Sequence, residues 1–351
     1  TDATDLFYTT VTNPLNQRTL TTYDYSSGKP LQILDSMNVA TRYTYDGFDR
    51  VRDTYVSGGS LSATVLAERT TYDDSRANPR IITLNYLDDT ARIFQISYKD
   101  AFGQEIQHRM YNESNTGMIV RDTGYSWPSL VSYRSMPYAG SGLNRTSAQA
   151  NEALITRYRY DALNRVVSEA NVMGETTYAY NDWTTTVTDT QKGGKKLYYD
   201  AYGNMTRIDE FSPNHYDITW YGYDGNKNLT GIADALGNER YFTYDLLGRR
   251  ITAEDLHAKN DTTFGKYSFT YDAAGNVLTV TNPENTRRTF VYDALGRITS
   301  DDSILTPNVE AIYTYDWCGA WGKGRLCSVN AQGVITNYTY DTRGRIVQES
   351  R

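Results

Sequence analysis

The stretch that decides the fold is Phe290-Val291-Tyr292-Asp293-Ala294-Leu295-Gly296-Arg297-Ile298-Thr299, which has the pattern of a strand, a tight turn and a second strand. Phe290 and Tyr292 are two residues apart, so both rings lie on one face of a strand. Asp293 suits the first position of a type I turn, because its carboxylate accepts a hydrogen bond from the backbone two residues further on. Gly296 can take a positive φ. The stretch therefore predicts a β-hairpin whose turn contains a one-residue bulge.

Copies of this hairpin return every twenty-odd residues, and self-similarity at such a period indicates a repeat architecture. The clearest copies carry the pairs Tyr45-Asp46, Tyr160-Asp161, Tyr199-Asp200, Tyr223-Asp224, Tyr244-Asp245, Tyr271-Asp272, Tyr292-Asp293, Tyr315-Asp316 and Tyr340-Asp341. Looser copies are at Tyr23-Asp24, Tyr72-Asp73, Tyr98-Lys99-Asp100 and Tyr180-Asn181. The turn glycine returns at Gly203, Gly248, Gly275 and Gly344. Asn164 replaces it once, and asparagine also tolerates the left-handed region.

A second set of turns fills the intervals between the tyrosine-aspartate turns. These turns begin at Asn13, Asp35, Asn171, Asp234, Asn282 and Asn330. Turns of the two kinds alternate about every ten residues, and each interval has room for one strand of roughly six residues. The sequence therefore predicts an all-β fold built as an array of antiparallel β-hairpins.

The composition offers little apolar material for a thick core. Hydrophobic residues make up 39% of the 351 residues when the 32 tyrosines are counted. With tyrosine left out and the 26 glycines counted instead, the share is about 37%, against about 45–50% in ordinary globular domains. This favours a single curved sheet wetted on both faces, in which tyrosine offers its ring to a neighbouring strand and its hydroxyl to water. A two-layer sandwich is the alternative.

The spacing of the turns along the sequence divides the chain into three parts. Residues 1–109 and 156–351 carry the hairpins, whereas residues 110–155 lack the regular spacing and are interpreted as an irregular insertion. Trp127-Pro128 and Met136-Pro137 fall in this insertion, and proline ends strands. One helical turn is predicted at residues 151–154.

The tyrosine-aspartate turns with their following glycine and arginine resemble the YD or Rhs repeats of bacterial Rhs proteins, Tc toxin B and C components and animal teneurins. The resemblance covers nearly the whole chain, and residues 175–189 and 322–329 also resemble stretches common in bacterial members. It implies a spiralling sheet that forms part of a hollow shell around a C-terminal effector. The Asp-Pro-Gly self-cleavage pattern of those families does not occur in this sequence, and neither does an effector domain.

No constellation for catalysis, cofactor binding or metal binding stands out. His108, His215 and His257 are far apart in the sequence, and no hydrolase, metalloprotease or phosphate-loop motif occurs. Asp224 begins a stretch like a calcium loop, but Leu229 stands where that loop needs glycine. Cys318 and Cys327 flank a hairpin tip, where they face each other either as a disulfide or as two buried thiols. We therefore expect neither an enzyme nor a cofactor.

The net charge and the hydropathy of the sequence limit the classes of partner that the protein can have. The net charge is −7 and the basic residues are scattered, which argues against a nucleic-acid partner. No apolar run approaches the ~18–20 residues of a membrane helix. The first hypothesis is a shell segment of a secreted or cell-surface bacterial protein, whose partners are the remaining repeats and an encapsulated effector. The second is an adhesive module that binds glycans or a receptor through exposed aromatic rings.

The two end strands of the array lead to a further expectation. A meander of hairpins has two edge strands, and exposed edges pair with other chains. The sequence begins at Thr1 and stops at Arg351, one strand after a turn. We expect a longer parent sequence to continue the sheet on at least one side.

Overall fold

The computed structural model describes residues 6–58, 61–75, 79–86, 92–112, 116–149, 151–191, 193–305, 309–319, 321–341 and 344–351. These residues form antiparallel strands joined by short turns, so the predicted all-β array of hairpins is confirmed. One 3-10 turn, Glu152–Leu154, lies where the sequence predicts a helical turn, and the side chain of Asn151 caps it by accepting from the Ala153 N–H.

The first half of the strands, in chain order, is β1 (Thr10–Thr12), β2 (Arg18–Asp24), β3 (Lys29–Leu34), β4 (Ala40–Tyr45), β5 (Val51–Gly58), β6 (Leu61–Asp73), β7 (Arg80–Tyr86), β8 (Arg92–Lys99), β9 (Glu105–Tyr111), β10 (Met118–Ser126), β11 (Leu130–Ser135), β12 (Tyr138–Gly140), β13 (Ile155–Tyr160), β14 (Val166–Asn171), β15 (Gly174–Asn181) and β16 (Thr184–Asp189). The second half is β17 (Gly193–Tyr199), β18 (Met205–Ser212), β19 (His215–Tyr223), β20 (Leu229–Ala233), β21 (Asn238–Tyr244), β22 (Arg250–Glu254), β23 (His257–Ala258), β24 (Lys266–Tyr271), β25 (Val277–Thr281), β26 (Arg287–Tyr292), β27 (Ile298–Ser303), β28 (Ala311–Tyr315), β29 (Leu326–Ala331), β30 (Val334–Tyr340) and β31 (Ile346–Ser350).

The tyrosine-aspartate hairpins share one register. In the hairpin of β13 and β14, Tyr160 faces Val166, but Arg159 faces Ser168, so the return strand holds one extra residue. The same shift beside the tyrosine occurs in the hairpins of β4–β5, β24–β25 and β26–β27, among others. Each of these hairpins therefore carries an irregularity that increases the local twist of its strands.

The chain divides into two compact units. The first combines residues 1–67 with residues 238–351. Within it, β1 to β5 pair in sequence order, and so do β24 to β31. The strand β22 pairs with β21 and β24, while the two-residue strand β23 pairs with β21. Hairpins from both ends of the chain thus belong to one unit.

The second unit comprises residues 68–237. Here β6 to β10 pair in order, and β13 to β20 do the same. Between these two runs, β10 pairs with both β11 and β12, and β11 pairs with β13. Residues 110–155, for which the sequence predicts an irregular insertion, therefore supply three strands to the ladder, and the two prolines of this part lie between strands.

The deepest burial in the second unit lies on one face of β8, β9 and β10. Ile96, Tyr98 and Val120 are buried there together with the polar residues Gln107, Arg109 and Asp122. The residue before Asp122, Arg121, points to the other face and is exposed, as the two-residue period of a strand requires. Residues 141–149, which have no regular secondary structure, lie across the buried face.

Candidate functional site

In the regular repeats, the aspartate organises its turn through four backbone hydrogen bonds, as at Asp161. The Asp161 N–H donates to the Arg165 carbonyl at 2.9 Å, and the Asn164 N–H donates to the Asp161 carbonyl at 3.0 Å. The Asp161 carboxylate accepts from the backbone N–H groups of Leu163 and Arg165, both at 2.9 Å. The Arg165 side chain then donates to the second carboxylate oxygen at 2.7 Å. One carboxylate therefore satisfies donors that a tight turn would otherwise leave to water.

The three backbone bonds that involve the residues three and four positions after the aspartate recur in other regular repeats. Their aspartates are Asp46, Asp100, Asp200, Asp224, Asp245, Asp272, Asp293 and Asp341. Three residues after the aspartate φ is positive, at Gly203 (82°), Gly248 (76°), Gly275 (95°), Gly296 (73°) and Gly344 (79°), and also at Asp49, Asn164 and Lys227. The turn beginning at Asp224, which begins like a calcium loop, thus has the geometry of a repeat turn.

The turns of the second set fall into two kinds. Those beginning at Asn13, Asp35 and Asn282 have the same backbone bonds as the tyrosine-aspartate turns. Asn171 and Asn330 differ, because their hairpins are closed by two residues, with Asn171 facing Gly174 and Ala331 facing Val334. The sequence groups all these turns together, since aspartate, asparagine and glycine serve both turn types.

The environment of the turn aspartates keeps them ionised. Backbone donation from Arg165 is the main cause that lowers the pKa of Asp161 below its usual range, and backbone donation from Arg249 does the same for Asp245. For Asp224 the main cause is the side-chain amide of Asn228. A carboxylate whose pKa is lowered by fixed donors is a poor proton donor near neutral pH. These groups are suited to holding turns together.

In repeats of both units, the tyrosine joins its hairpin to the preceding one. Its hydroxyl donates to the backbone carbonyl of a residue at or near the start of an earlier strand. The bonds are Tyr45 to Pro30 (2.6 Å), Tyr160 to Val131 (2.9 Å), Tyr180 to Val166 (2.8 Å), Tyr271 to Arg250 (2.7 Å), Tyr292 to Val277 (2.8 Å), Tyr315 to Ile298 (2.9 Å) and Tyr340 to Leu326 (2.7 Å). The expectation that these hydroxyls face water is therefore wrong.

The arginine at the start of the return strand adds a second link between neighbours. Arg165 lies over the ring of Tyr180 with its central carbon 4.2 Å from the ring centroid, and Arg297 lies over Tyr315 at 4.3 Å. Arg249 lies 4.9 Å from the centroid of Tyr271. Such contacts contribute about 0.5–1 kcal/mol each at exposed sites. Aspartate, arginine and the next tyrosine thus form a chain of contacts along the hairpin tips.

Removal of one tyrosine hydroxyl tests this link. Tyr292→Phe should lower the free energy of unfolding by about 1 kcal/mol, because the Val277 carbonyl loses its donor. Tyr202→Phe is the matched control, since Tyr202 is 75% exposed at a hairpin tip. Urea denaturation of both variants gives the comparison. Equal midpoints would show that the tyrosine hydroxyls contribute nothing between repeats.

In the first unit, hairpins from the two ends of the chain touch through side chains. Gln17 donates to the Asp316 carboxylate at 3.1 Å, and Lys323 Nζ donates to the Ser36 carbonyl at 2.9 Å. Arg325 approaches the sulfur of Met37 at 3.4 Å. We call these contacts the seam. They connect residues nearly 300 positions apart, so local sequence patterns carry no sign of them.

A cleft of about 740 Å³ lies beside the seam and is lined by Leu15, Trp317 and Arg297, among others. Its volume is within the range of ~300–1,000 Å³ typical of ligand sites. Three of the charged groups in it bind each other, however. Arg297 donates to Asp293 and to Asp316, at 2.6 Å in each case. These groups hold the cleft together and leave Trp317, 87% exposed, as its free aromatic surface.

The two cysteines lie in the hairpin of β28 and β29. Cys318 and Cys327 are joined as a disulfide in the structure, with their Cα atoms 5.0 Å apart. Cys327 is buried, whereas Cys318 is partly exposed beside Trp317. The sequence left the choice between a disulfide and two thiols open, because facing positions at a hairpin tip permit both.

A polar cluster buried in the second unit was not predicted from the sequence. Arg109 donates to the Gln107 side chain at 3.0 Å and to the Ser141 carbonyl at 2.7 Å. The Asp122 carboxylate accepts from Gln107 at 2.7 Å, and from the Tyr138 hydroxyl and the Gln149 N–H at 2.8 Å each. Burial and the bond to Asp122 raise the pKa of Tyr138 to about 12. The cluster fixes residues 141–149 onto the sheet.

The histidines do not assemble a site. His215 pairs with Asp217 in β19, and His257 stacks on Phe264 with 3.9 Å between ring centroids. Among the residues that the structure describes, no group of three or more histidine, cysteine, aspartate or glutamate side chains is placed to hold a metal ion. Within the same ranges, no helix has the length and hydropathy to cross a membrane.

These turns and ladders define a class of protein, the β-hairpin repeat arrays. The family model of the RHS repeat matches residues 223–255 and 271–303. The resemblance to the YD or Rhs-repeat family is thereby confirmed, and these two stretches match Rhs repeats. No curated protein matches the chain in sequence.

Solved structures show the same fold. A crystal structure of TcdB2-TccC3-TEV matches with a TM-score of 0.77 at 13% identity, over 95% of this chain and 23% of that chain. TcdB2-TccC3 without its hypervariable C-terminal region matches with a TM-score of 0.58 at 13% identity, over 97% of this chain and 28% of that one. TcdB2-TccC3 itself matches with a TM-score of 0.54 at 14% identity, over 98% and 27%.

The likeness has two consequences. The predicted fold class, an all-β array of antiparallel β-hairpins, is confirmed. The chain spans about a quarter of the length of the structures that it matches.

Proposed function

We propose that this chain is wall material of a toxin-type Rhs-repeat protein, whose sheet encloses and protects a C-terminal effector until delivery. The segment itself carries out no catalysis in this proposal. Its functional residues are the aspartates, tyrosines, arginines and positive-φ positions that join one hairpin to the next.

The proposal rests on the observation that the stabilising contacts run along the sheet. In both units, the tyrosine hydroxyls and arginine side chains bind neighbouring hairpins along the sheet. Few apolar side chains of the described residues are buried. A sheet held together along its own plane does not depend on a second layer for its cohesion, and this property suits a wall.

The relatives support the presence of a cargo. TcdB2-TccC3 has a hypervariable C-terminal region, and the repeat fold is present in the crystal structure without it. A wall that is independent of such a region can enclose different polypeptides. We place the parent protein outside the bacterial cell, secreted or at the cell surface, with the remaining repeats and the effector as its partners.

Limited proteolysis of the full-length parent protein tests encapsulation. The polypeptide that follows the repeat sheet should resist protease in the intact protein, because a closed wall excludes the enzyme. Mild urea that loosens the sheet should make the same polypeptide sensitive. Equal digestion with and without urea would contradict encapsulation.

A second candidate function is glycan binding by exposed aromatic rings. Trp317 at the cleft of the first unit and Trp127, 89% exposed in the second unit, favour it. The mutual pairing of Arg297 and Asp316 argues against it, because these groups are not free to bind sugar hydroxyls. A glycan array separates the two, since a wall segment should bind none of the sugars and an adhesive module should bind a defined set.

A further inference from the structure

The loop between β28 and β29 departs from every other tyrosine-aspartate turn that the structure describes. The Asp316 N–H donates to the Arg325 carbonyl, nine residues on, whereas Asp293 donates to Arg297, four residues on. The loop is thus a repeat turn that has been extended at its tip. Its additional length brings Lys323 to the hairpins from the start of the chain.

The seam depends on this loop. Lys323 and Arg325 supply the contacts to Ser36 and Met37, and Asp316 at the base of the loop accepts from Gln17. A long loop has many conformations in isolation, and fixing one of them costs conformational entropy. Contacts made by an unconstrained loop would therefore be weak.

The disulfide provides the constraint. Lys323 and Arg325 both lie between Cys318 and Cys327 in the sequence, so the bond encloses the residues that touch the other hairpins. Gly322 packs against the bridge, where a Cβ on it would lie 2.7 Å from the Cys318 sulfur. Closing a loop by a disulfide removes alternative conformations before any contact forms.

We infer that Cys318–Cys327 is a redox latch for the seam. While the disulfide is intact, the loop presents Lys323 and Arg325 to the first hairpins. Once it is reduced, the loop regains its freedom and the seam weakens. Disulfides persist in oxidising compartments and are reduced in the cytosol, so a repeat protein that moves from one to the other would loosen at this point. The inference stands whether or not the sheet encloses an effector.

Reduction of the disulfide requires an external thiol. A thiolate attacks the sulfur of Cys318, the more exposed residue of the pair, breaks the S–S bond and releases Cys327 as a thiolate that takes up a proton. A second thiol then attacks the mixed disulfide on Cys318. Two electrons enter the protein, two protein thiols form, and the reductant leaves as its own disulfide.

Hydrogen exchange of the chain with and without dithiothreitol tests the latch. Reduction should raise the amide exchange rates of residues 13–18 and 35–39 at least about fivefold, because the loop no longer holds them. The hairpin tip at residues 200–204, in the other unit, should not change. The double variant Cys318→Ser/Cys327→Ser should show the fast rates with and without the reductant.

A second variant keeps the test decisive if the cysteine variants fold poorly. Lys323→Met in the oxidised protein should speed exchange at residues 35–39, because it removes only the bond to the Ser36 carbonyl. An increase confined to residues 316–327 on reduction would overturn the inference. Unchanged rates throughout, or two free thiols in protein from an oxidising compartment, would overturn it as well.

Discussion

Gly193→Ala should lower the stability of the second unit by about 2–4 kcal/mol, one of the two largest effects that we expect from a single substitution. Gly193 has a φ of +94° at the start of β17. A Cβ at this position would lie 2.2 Å from the Phe211 carbonyl oxygen and 3.0 Å from the Ser212 Cα. Both atoms belong to the backbone of β18, so relief requires the two strands to separate.

Gly203→Ala is the matched control for this prediction. Gly203 has a φ of +82°, and among the described residues no atom lies within 4 Å of the position that its Cβ would take. Its substitution should cost only about 1–2 kcal/mol, the strain of a left-handed alanine. Urea denaturation followed by circular dichroism measures both variants. Equal midpoints would show that strands β17 and β18 adapt freely, and would contradict the close approach.

The hairpin turns could be predicted from the sequence because their determinants are local. The turn at Asp161 needs an acceptor at its first residue and a residue that tolerates positive φ three positions later, and both can be identified by spacing alone. The destination of the tyrosine hydroxyl could not be predicted in the same way. Tyr292 donates to Val277, in the preceding hairpin, and only the pairing of the strands brings that carbonyl within reach.

The insertion shows a different limit. Its prolines correctly mark breaks between strands, but β11 pairs with β13 across the intervening segment. The buried cluster depends on Arg109 meeting Ser141, which is 32 residues away. The one signal available in the sequence was the two-residue spacing of Gln107 and Arg109 on a single strand face. A polar pair of this kind is more often exposed than buried, since arginine is rarely buried without partners.

No local sequence pattern predicts the seam. The pairing of the two cysteines beside it, in contrast, follows from a local pattern. Cys318 and Cys327 are close in sequence, so a hairpin tip brings them together in almost any arrangement of the array. Lys323 meets Ser36 only after the intervening chain has folded. Sequence reasoning could therefore identify the candidate bridge but not what the bridge constrains.

Asp122→Ala should have the second large effect. It should lower the free energy of unfolding by about 3–5 kcal/mol, because it removes the one carboxylate of a buried network. The Gln107 amide, the Tyr138 hydroxyl and the Gln149 N–H would lose their acceptor. Residues 141–149 should then detach from the sheet. Trypsin should cleave after Arg145 in this variant much faster than in the parent chain.

Arg121→Ala is the control, since Arg121 is the preceding residue of β10 and lies exposed on the opposite face. Its effect should stay within about 0.5 kcal/mol, as for most surface substitutions, and trypsin cleavage after Arg145 should keep its original rate. Asp122→Asn separates charge from shape, because an asparagine can accept only at its single amide oxygen. If Asp122→Ala leaves both the denaturation midpoint and the cleavage rate unchanged, hydrogen bonds to Asp122 do not hold the segment. The bonds that Arg109 donates to the carbonyls of Ser141 and Gly142, and the bond from the Thr146 N–H to Gln107, would then have to hold residues 141–149.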